Sequence, residues 1–342
     1  MSLMSKTFAL GVIGAGYWGP NLVRNFAALP QCQLKVVCDQ DQQALDRLRP
    51  LYPQIHFSLD WREVLGSPEI EGVVIAAPTS THYEIAMEAL KKGKDVFVEK
   101  PLASTVVQAE KLAARAEKAG RVLMVGHLML YHPAIVRLKE LIQDGELGEI
   151  LYLYFRRVNL GKIRKNENAL LSFAPHDISA ALYLLDSEPT EVYASGQSYI
   201  QPDVEDVVFL NMGFPNKVMA HVHVSWLDPH KRRELTVVGS KKMAVFDDLS
   251  TAEPIRIYDK GALEPGTYLS YGDSLGVRVG DIWIPKIEMH EPLQIECQHF
   301  LDCVKHRKRP LTDGLHGVRV VRVLEKAQIS LKSRAVQVTL PT

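Results

Sequence analysis

A lysine stands at the end of a short apolar run, where a reacting group could meet a ligand. In DVFVEKPLAS the residues 96–98 lead directly into Glu99, Lys100 and Pro101. A protonated lysine can stabilise the negative charge that develops on an alcohol oxygen when the adjacent carbon gives up a hydride. A desolvated lysine can also act as a base. An ordinary exit of a strand into a polar loop is the alternative interpretation of these residues.

A glycine-rich loop near the start of the chain has the spacing of a dinucleotide-binding loop. VIGAGYWGPN contains Gly14, Gly16 and Gly19 in GxGxxG order, between an apolar run and a helical segment. The first glycine permits a tight turn, the second lets the backbone approach a pyrophosphate, and the third allows close packing of helix and strand. The N-terminus of the helix offers N–H groups to the phosphates. Tyr17 and Trp18 lie within the loop, and we include them among the cofactor-binding candidates.

An acidic residue completes this fingerprint. The run LKVVCD ends in Asp39, twenty residues after Gly19, where a carboxylate can accept hydrogen bonds from a ribose 2′-hydroxyl. The same carboxylate repels a 2′-phosphate, and the following Gln40 and Asp41 offer no arginine to receive one. We therefore predict NAD as the cofactor in preference to NADP. A structural turn followed by a chance acid is the alternative.

The elements around these residues alternate as in a doubly wound α/β sheet. Apolar runs rich in valine, isoleucine and leucine (FALGVIG, LKVVCD, EGVVIAAP, DVFVEKP and RVLMVGH) are separated by helical segments. Such runs are typical of parallel strands that are covered on both faces. Ligands bind at the carboxyl ends of these strands. The segments that end there provide further cofactor-binding candidates: Ala77, Pro78, Thr79, His82, Glu99, Lys100 and His127.

The pattern changes after about residue 149. The following runs, such as EILYLYFRRV, TEVYASGQSYI and KVMAHVHVSWL, are longer, alternate in polarity and follow one another directly. These features indicate an antiparallel sheet. We predict a dinucleotide-binding Rossmann domain with a doubly wound parallel sheet over residues 1–126. An α+β domain with a large, mostly antiparallel sheet then follows over residues 127–342, for the substrate and for oligomerisation.

Several motifs together resemble the glucose–fructose oxidoreductase and inositol dehydrogenase (Gfo/Idh/MocA) family. They are GAGYWG, APTSTH, VEKPLA and APHD, and the resemblance extends over nearly the whole chain, to GHLMLYHPAI and RPLTDG. Within the family, GYWGPNLVRNF, SFAPHDIS and LTVVGSKKMAVFDD are most similar to members that act on nucleotide-linked sugars in surface-polysaccharide pathways. The resemblance implies hydride transfer between NAD and a sugar carbon, typically C3 of a UDP-N-acetylhexosamine or its uronic acid.

The resemblance also implies which residues carry the chemistry. In the family the lysine of EKP contacts the reacting hydroxyl and a histidine of the second domain relays its proton; these roles fall on Lys100 and His176. A histidine, with an ordinary pKa of about 6.5, suits this task at neutral pH. Family members commonly carry an aspartate four residues before this histidine, where the present chain has Ser172. A serine can bond a substrate hydroxyl but adds no charge to raise the pKa of the histidine. Asp177 follows His176 directly but points about 100° away from it on a helix.

A basic stretch ahead of His176 provides candidates for substrate binding. YFRRVNLGKIRKNENALL contains five basic residues: Arg156, Arg157, Lys162, Arg164 and Lys165. Such a cluster suits a diphosphate or a uronate carboxylate, and it is equally compatible with a solvated charged loop. Neighbouring residues face opposite sides of a strand, so only one of the first two arginines can serve a pocket. The predicted substrate-binding residues are Lys100, Arg157, Asn159, Asn168, Ser172 and His176.

Composition narrows the classes of partner. The 342 residues contain 40 Lys and Arg against 40 Asp and Glu, so no net charge draws the protein toward nucleic acid or an anionic membrane. The N-terminal stretch lacks the anatomy of a signal peptide, and no apolar run approaches the roughly 20 residues of a membrane span. The four cysteines lack the CxxC spacing of a metal site and are typical of a reducing compartment. We expect a cytoplasmic protein without a metal. The family resemblance implies a homodimer or homotetramer.

Two further interpretations use the same residues. A ketosugar reductase would run the same site in the opposite direction. A non-catalytic NAD-binding regulator is a separate class, because this fold can also serve as a protein-binding module. Lys100 and His176 favour an enzyme, whereas Ser172 leaves the regulator open. Sugar-dependent hydride transfer distinguishes the enzyme from the regulator.

Overall fold

The computed structural model describes residues 7–161, 163–164, 167–262 and 277–333, and the backbone of residues 338–339. The strands are β1 (Phe8–Ile13), β2 (Cys32–Cys38), β3 (His56–Ser58), β4 (Gly72–Ile75), β5 (Asp95–Glu99), β6 (Leu123–Gly126), β7 (Ile150–Val158), β8 (Glu191–Gln197), β9 (Val207–Gly213), β10 (Met219–Ser225), β11 (Arg232–Gly239), β12 (Met243–Asp247), β13 (Ile255–Ala262), β14 (Val277–Trp283) and β15 (Val338–Thr339). The helices are α1 (Gly19–Ala28), α2 (Gln42–Leu48), α3 (Trp61–Gly66), α4 (Thr79–Lys91), α5 (Val106–Ala119), α6 (Pro133–Gln143), α7 (Ala169–Leu185), α8 (Pro292–His306) and α9 (Gly314–Lys332). Short 3-10 helices span Leu128–Tyr131 and Pro215–Lys217.

The chain forms two compact units, and each is assembled from two stretches of sequence. The first unit contains Met1–Tyr131 and His290–Arg322, and the second contains His132–Met289 and Val323–Thr342. This division differs from the predicted one, which assigns everything after residue 126 to the second domain. The segment His290–Arg322 returns to the first unit. The sequence of this segment predicts an amphipathic helix. An apolar stripe on a helix does not, however, indicate which of the two sheets the helix packs against.

The first unit is built on a parallel sheet of six strands in the order β3-β2-β1-β4-β5-β6. This is the doubly wound arrangement that the sequence predicts. All four residues of β4 are buried, as expected for a strand with helices on both faces. The strand order reverses between β1 and β4, so the ligand crevice of such a fold lies at the carboxyl ends of these strands.

Helix α8 joins the first unit through an aromatic cluster. The ring of Phe300 packs edge to face against Phe26 of α1 and Phe97 of β5, with centroids 6.2 and 5.8 Å apart. At the end of the helix, Arg307 donates a hydrogen bond of 2.7 Å to the buried carboxylate of Asp95. Apolar packing and an ion pair to a buried carboxylate therefore fix this C-terminal segment on the first unit.

The second unit contains a sheet of nine strands in the order β14-β13-β12-β11-β7-β10-β9-β8-β15. Only β7 and β10 run parallel among the paired strands that the structure describes, so the predicted mostly antiparallel sheet is confirmed. Helix α7 packs against β7, β9 and β10. Residues on that side, such as Phe155 and Val222, are buried, whereas Tyr152, Phe209 and Met219 on the other side are exposed.

The helices that the structure describes were not found to include a membrane span. Across the described stretches of the chain, none of them is both long enough and apolar enough to cross a bilayer.

Candidate active site

The glycine loop closes tightly against the neighbouring strands of the first unit. Gly14 adopts φ +109°, and a Cβ added there would lie 2.4 Å from the carbonyl carbon of Ala76. A Cβ on Gly19 would lie 2.0 Å from the carbonyl oxygen of Gly14, so the start of α1 can approach the loop only without a side chain. Gly16 faces open space within 4 Å. Gly14 and Gly19 thus permit the tight turn and the close packing, and Gly16 leaves the space that a pyrophosphate would require.

Tyr17 and Trp18 lie in the part of the glycine loop that precedes helix α1. Tyr17 is 86% exposed, and Trp18 is the N-cap of α1 without a side-chain hydrogen bond to the helix backbone. No acidic side chain occupies the first turn of this ten-residue helix. Its N-terminal N–H groups and the positive end of its dipole are therefore suited to a pyrophosphate.

Asp39 lies beside the glycine loop at the end of β2. Its Oδ2 accepts a hydrogen bond of 2.6 Å from the backbone N–H of Ala15, and its Oδ1 accepts one of 2.9 Å from that of Asp41. Each carboxylate oxygen has a second lone pair for a ribose hydroxyl. The structure thus brings the predicted acid and the predicted loop together, and the two backbone donors fix the direction of the carboxylate.

The EKP residues follow β5 at the same end of the sheet. Glu99 Oε1 accepts a hydrogen bond of 2.7 Å from the indole Nε1 of Trp18, and Oε2 accepts one of 3.2 Å from the backbone N–H of Lys100. A Cβ on Gly126 would lie 3.0 Å from this carboxylate, so the glycine at the end of β6 makes room for it. Burial raises the pKa of Glu99 to about 7, against the opposing effects of Lys100 and Trp18. Lys100 itself is partly exposed, and its peptide bond to Pro101 is cis.

Two of the predicted cofactor-binding residues, His82 and His127, are buried. His82 of α4 is 1% exposed and His127 after β6 is fully buried. Both ring nitrogens of His82 face backbone carbonyl groups. Neither ring nitrogen of His127 has a hydrogen-bond partner among the described residues, and burial, followed by the effects of His316 and Lys100, holds its pKa well below the usual value. Because they are buried, His82 and His127 are better placed to support the residues that line the crevice than to contact a ligand.

The returning segment adds buried polar groups that sequence analysis missed. The ring of His316 lies edge to face against that of His127, with centroids 5.1 Å apart. Glu296 of α8 is fully buried, and neither carboxylate oxygen has a hydrogen-bond partner in the described part of the chain. Burial, and then the charge of Glu99, raise the pKa of Glu296 well above its usual value. The sequence contained a signal for the burial of Glu296, because this residue lies on the same apolar helix face as Leu293 and Phe300.

Helix α7 of the second unit carries the predicted histidine and serine. Ser172 is buried, His176 is partly exposed, and four residues of helix place them on one face. The side chain of Asn168 caps the helix, since its Oδ1 accepts the N–H of Leu171 at 3.1 Å while its Nδ2 donates to Glu205 at 2.6 Å. These bonds give Asn168 a structural role in the second unit in addition to its predicted one.

The two neighbouring arginines of β7 face opposite sides, as alternation requires. Arg157 is buried and donates from Nε and Nη2 to the carboxylate of Asp177, at 2.8–3.1 Å. Arg156 pairs with Glu234 on the other face at 2.6 Å. The charge of Arg157, our predicted substrate-binding arginine, is therefore balanced inside the unit. The same pair turns the carboxylate of Asp177 toward β7.

The remaining candidates of the basic stretch follow β7 in the sequence. Asn159 is partly exposed, and its backbone N–H donates to Ser225 at 3.1 Å. Arg164 forms an ion pair with Glu167 at 2.9 Å. Lys162 and Lys165 lie outside the described residues.

Comparison with known proteins assigns both units to one family. Residues 8–127 match the family model described as "Oxidoreductase family, NAD-binding Rossmann fold", and residues 135–245 match the "GFO/IDH/MocA C-terminal domain". The chain belongs to the Gfo/Idh/MocA family of oxidoreductases. The resemblance inferred from the motifs is thereby confirmed.

Relatives within the Gfo/Idh/MocA family act on sugars and polyols. The chain is 27% identical to UDP-N-acetylglucosamine 3-dehydrogenase from Acidithiobacillus ferrooxidans over 94% of its length and 97% of that protein. It is 25% identical to scyllo-inositol 2-dehydrogenase (NAD(+)) from Bacillus subtilis, over 91% of its length and 90% of that protein. A solved structure of a putative oxidoreductase from Magnetospirillum magnetotacticum MS-1 is 31% identical and superimposes with a TM-score of 0.77, covering 94% of this chain and 99% of that one.

The first unit of this Gfo/Idh/MocA protein is an NAD-binding Rossmann domain. Its geometry fits the cofactor, because Gly16 leaves room for the pyrophosphate and Asp39 presents carboxylate oxygens for the adenosine ribose. Bound NAD would exchange a hydride with the substrate. Among the described residues no cluster of three or more His, Cys, Asp or Glu side chains could hold a metal ion.

Proposed function

We propose that this oxidoreductase transfers a hydride between NAD and C3 of a nucleotide-linked sugar. The observation that carries the proposal is the position of Lys100. This lysine is partly exposed at the carboxyl end of β5, and Glu99 ties its backbone to Trp18 of the glycine loop. A cation next to the cofactor loop is what a developing alkoxide requires.

The proposed roles follow from the proton and charge balance of the reaction. When a carbinol carbon loses a hydride, its hydroxyl must also lose a proton to give a ketone. We assign Lys100 to the hydroxyl oxygen, which its ammonium group stabilises, and His176 to the departing proton. Ser172 shares the helix face of His176 and can accept or donate a hydrogen bond to a neighbouring hydroxyl. Ketosugar reduction uses the same groups in reverse.

The substrate class is supported by the relatives. The similarity to UDP-N-acetylglucosamine 3-dehydrogenase covers nearly all of both chains. The similarity to scyllo-inositol 2-dehydrogenase is almost as extensive, and it makes a free polyol the second candidate. Free polyols carry no diphosphate, so a requirement for the nucleotide part separates the two substrates experimentally.

The test is absorbance at 340 nm with purified protein, NAD and a panel of sugars. The panel contains UDP-N-acetylglucosamine, UDP-N-acetylgalactosamine, their uronic acids, UDP-glucose, dTDP-glucose, scyllo-inositol and myo-inositol. A rise with one UDP-sugar and with neither inositol supports the proposal, and a rise with an inositol alone moves the substrate to the polyols. The matched control is Lys100→Met, which keeps the length of the side chain and removes its charge. NAD binding without turnover of any compound would favour the regulator.

We propose that a second copy of the chain covers the open face of the large sheet. Tyr152, Phe209 and Met219 expose apolar surface there, and His221 and His223 lie beside them on the same side. Exposed apolar surface of this kind is typical of a protein interface. The test is the mass in solution by light scattering, where Phe209→Glu should lower the mass of a dimer or tetramer and a monomeric wild type would contradict the proposal.

We place the protein in the cytoplasm, in the supply of sugars for surface polysaccharides. The four free cysteines support a reducing compartment. Fractionation of cells of the source organism with an antibody against the protein tests the location.

A further inference from the structure

The ring of His82 connects two strand ends of the first unit. Its Nδ1 lies 2.9 Å from the carbonyl oxygen of Pro101, directly after Lys100, and its Nε2 lies 2.8 Å from the carbonyl oxygen of Ala77, the second residue after β4. Both distances are those of hydrogen bonds. A buried histidine thus contacts the backbone on one side of the lysine to which we assign the chemistry.

A neutral imidazole can serve only one of these two carbonyl groups as a donor. Burial, opposed by the two carbonyl contacts and aided by Lys100, lowers the pKa of His82, so the ring carries a single N–H at neutral pH. Pro101 and its contact with His82 are buried, whereas Ala77 is partly exposed and its contact with His82 is only partly buried. A buried carbonyl needs a protein donor more than an exposed one does. The N–H therefore belongs on Nδ1, toward Pro101.

The other side of Lys100 is fixed by Glu99. The carboxylate accepts the backbone N–H of Lys100 at 3.2 Å and the indole N–H of Trp18 at 2.7 Å. The N–H of Lys100 and the carbonyl group of the following Pro101 are thus each held by a side chain of the same unit. One of these side chains also reaches the glycine loop.

We propose that His82 and Glu99 are positioning residues that hold Lys100 for hydride transfer. This inference rests on the proposed function, in which Lys100 contacts the reacting oxygen. His82 acts through its hydrogen bond to the carbonyl of Pro101 and not through contact with cofactor or substrate. A displacement of a reacting group by about 1 Å can cost about 10²-fold in rate, so loss of this bond should lower kcat while NAD affinity stays within about threefold.

Two substitutions separate the bonds of His82. The amide nitrogen of asparagine reaches about as far as Nδ1 and that of glutamine about as far as Nε2. His82→Asn therefore keeps the donor toward Pro101, whereas His82→Gln loses it and directs a donor toward Ala77 instead. Each variant, like the wild type, has a donor toward only one of the two carbonyl groups, so their melting temperatures should be similar. We expect kcat of H82N to exceed that of H82Q by about tenfold or more.

A second measurement does not depend on the substrate. The rate at which acetic anhydride acetylates Lys100, followed by mass spectrometry, reports the surroundings of its amine, and exposed Lys92 serves as an internal control. We expect the rate at Lys100 to differ from wild type by about threefold or more in H82Q and by less in H82N. The rate at Lys92 should be the same in all three proteins. If H82Q does not fold, Glu99→Leu against Glu99→Gln makes the same comparison, because only glutamine keeps an acceptor for the N–H of Lys100.

The outcomes separate this inference from the proposed function. A wild-type protein that turns over no sugar contradicts the proposed function, and the acetylation rates still test whether His82 holds Lys100. Equal kcat and equal acetylation rates in H82N and H82Q would overturn the inference even if the wild type is an active dehydrogenase. A rise in the dissociation constant of NAD alone, measured by calorimetry, would also overturn it, since it would place His82 in cofactor binding.

Discussion

Glu99 should release its proton near neutral pH, and Trp18 should report the change. Burial raises the pKa of Glu99 from 4.5 to about 7. The carboxylate accepts the indole N–H of Trp18 at 2.7 Å. A hydrogen bond to a charged acceptor contributes about 1.5–3 kcal/mol, against about 0.5–1.5 kcal/mol for a neutral one. The indole proton of Trp18 should therefore shift as the pH passes about 7.

The same titration changes the stability of the first unit. Between pH 4.5 and about 7 the folded protein keeps a proton that the unfolded chain has released. The free energy of unfolding therefore falls as the pH rises through this window, and the contribution of Glu99 is lost above it. The difference between 4.5 and about 7, at about 1.4 kcal/mol per pH unit, corresponds to a loss of about 3 kcal/mol.

The assay is the ¹H–¹⁵N spectrum of the indole groups between about pH 5 and about pH 9, with Trp18 assigned by Trp18→Phe. In Glu99→Gln the shift should disappear, and urea denaturation should show that this variant gains stability over wild type as the pH rises. Glu296→Gln is the control. Because the titration near 7 belongs to Glu99, the resonance of Trp18 should still shift in this variant. A Trp18 resonance that does not move, or that keeps its midpoint in Glu99→Gln, would refute the reasoning.

Three further predictions concern single side chains. Lys100→Ala should lower kcat by about 10²–10³-fold while calorimetry shows NAD binding within about threefold; substantial turnover would contradict the catalytic role. Arg157→Ala should destabilise the second unit by about 3–5 kcal/mol in urea, because it leaves Asp177 buried without its partner. A rise in KM without loss of stability would instead show that Arg157 binds substrate. Asp39→Ala should weaken NAD binding by about 10–100-fold, since hydrogen bonds from the ribose hydroxyl groups to a charged acceptor are lost. The same substitution should reduce the preference for NAD over NADP. An unchanged dissociation constant of NAD would show that Asp39 does not bind the ribose.

The sequence by itself determined the cofactor unit. The GxGxxG loop, the acid at the end of β2 and the lysine after β5 depend on local spacing and on one topological rule, that parallel strands present their carboxyl ends at the same edge. Each requirement is met within a few residues of a strand end. For this reason the amino-acid order alone places Gly14, Asp39 and Lys100 at that edge, and the same motifs indicate the family.

The tertiary structure alone decided the partners of the buried polar groups. The apolar stripe of α8 predicts a helix, but only packing against Phe26 and Phe97 assigns it to the first unit. The alternation of side chains along β7 places Arg156 and Arg157 on opposite faces of the sheet, but it does not predict that Arg157 forms an ion pair with Asp177. These pairings join residues far apart in the chain, and their energy comes from burial, which no local pattern records. Spacing along the chain therefore located the chemistry, and burial in the folded units decided which charged groups remain available for it.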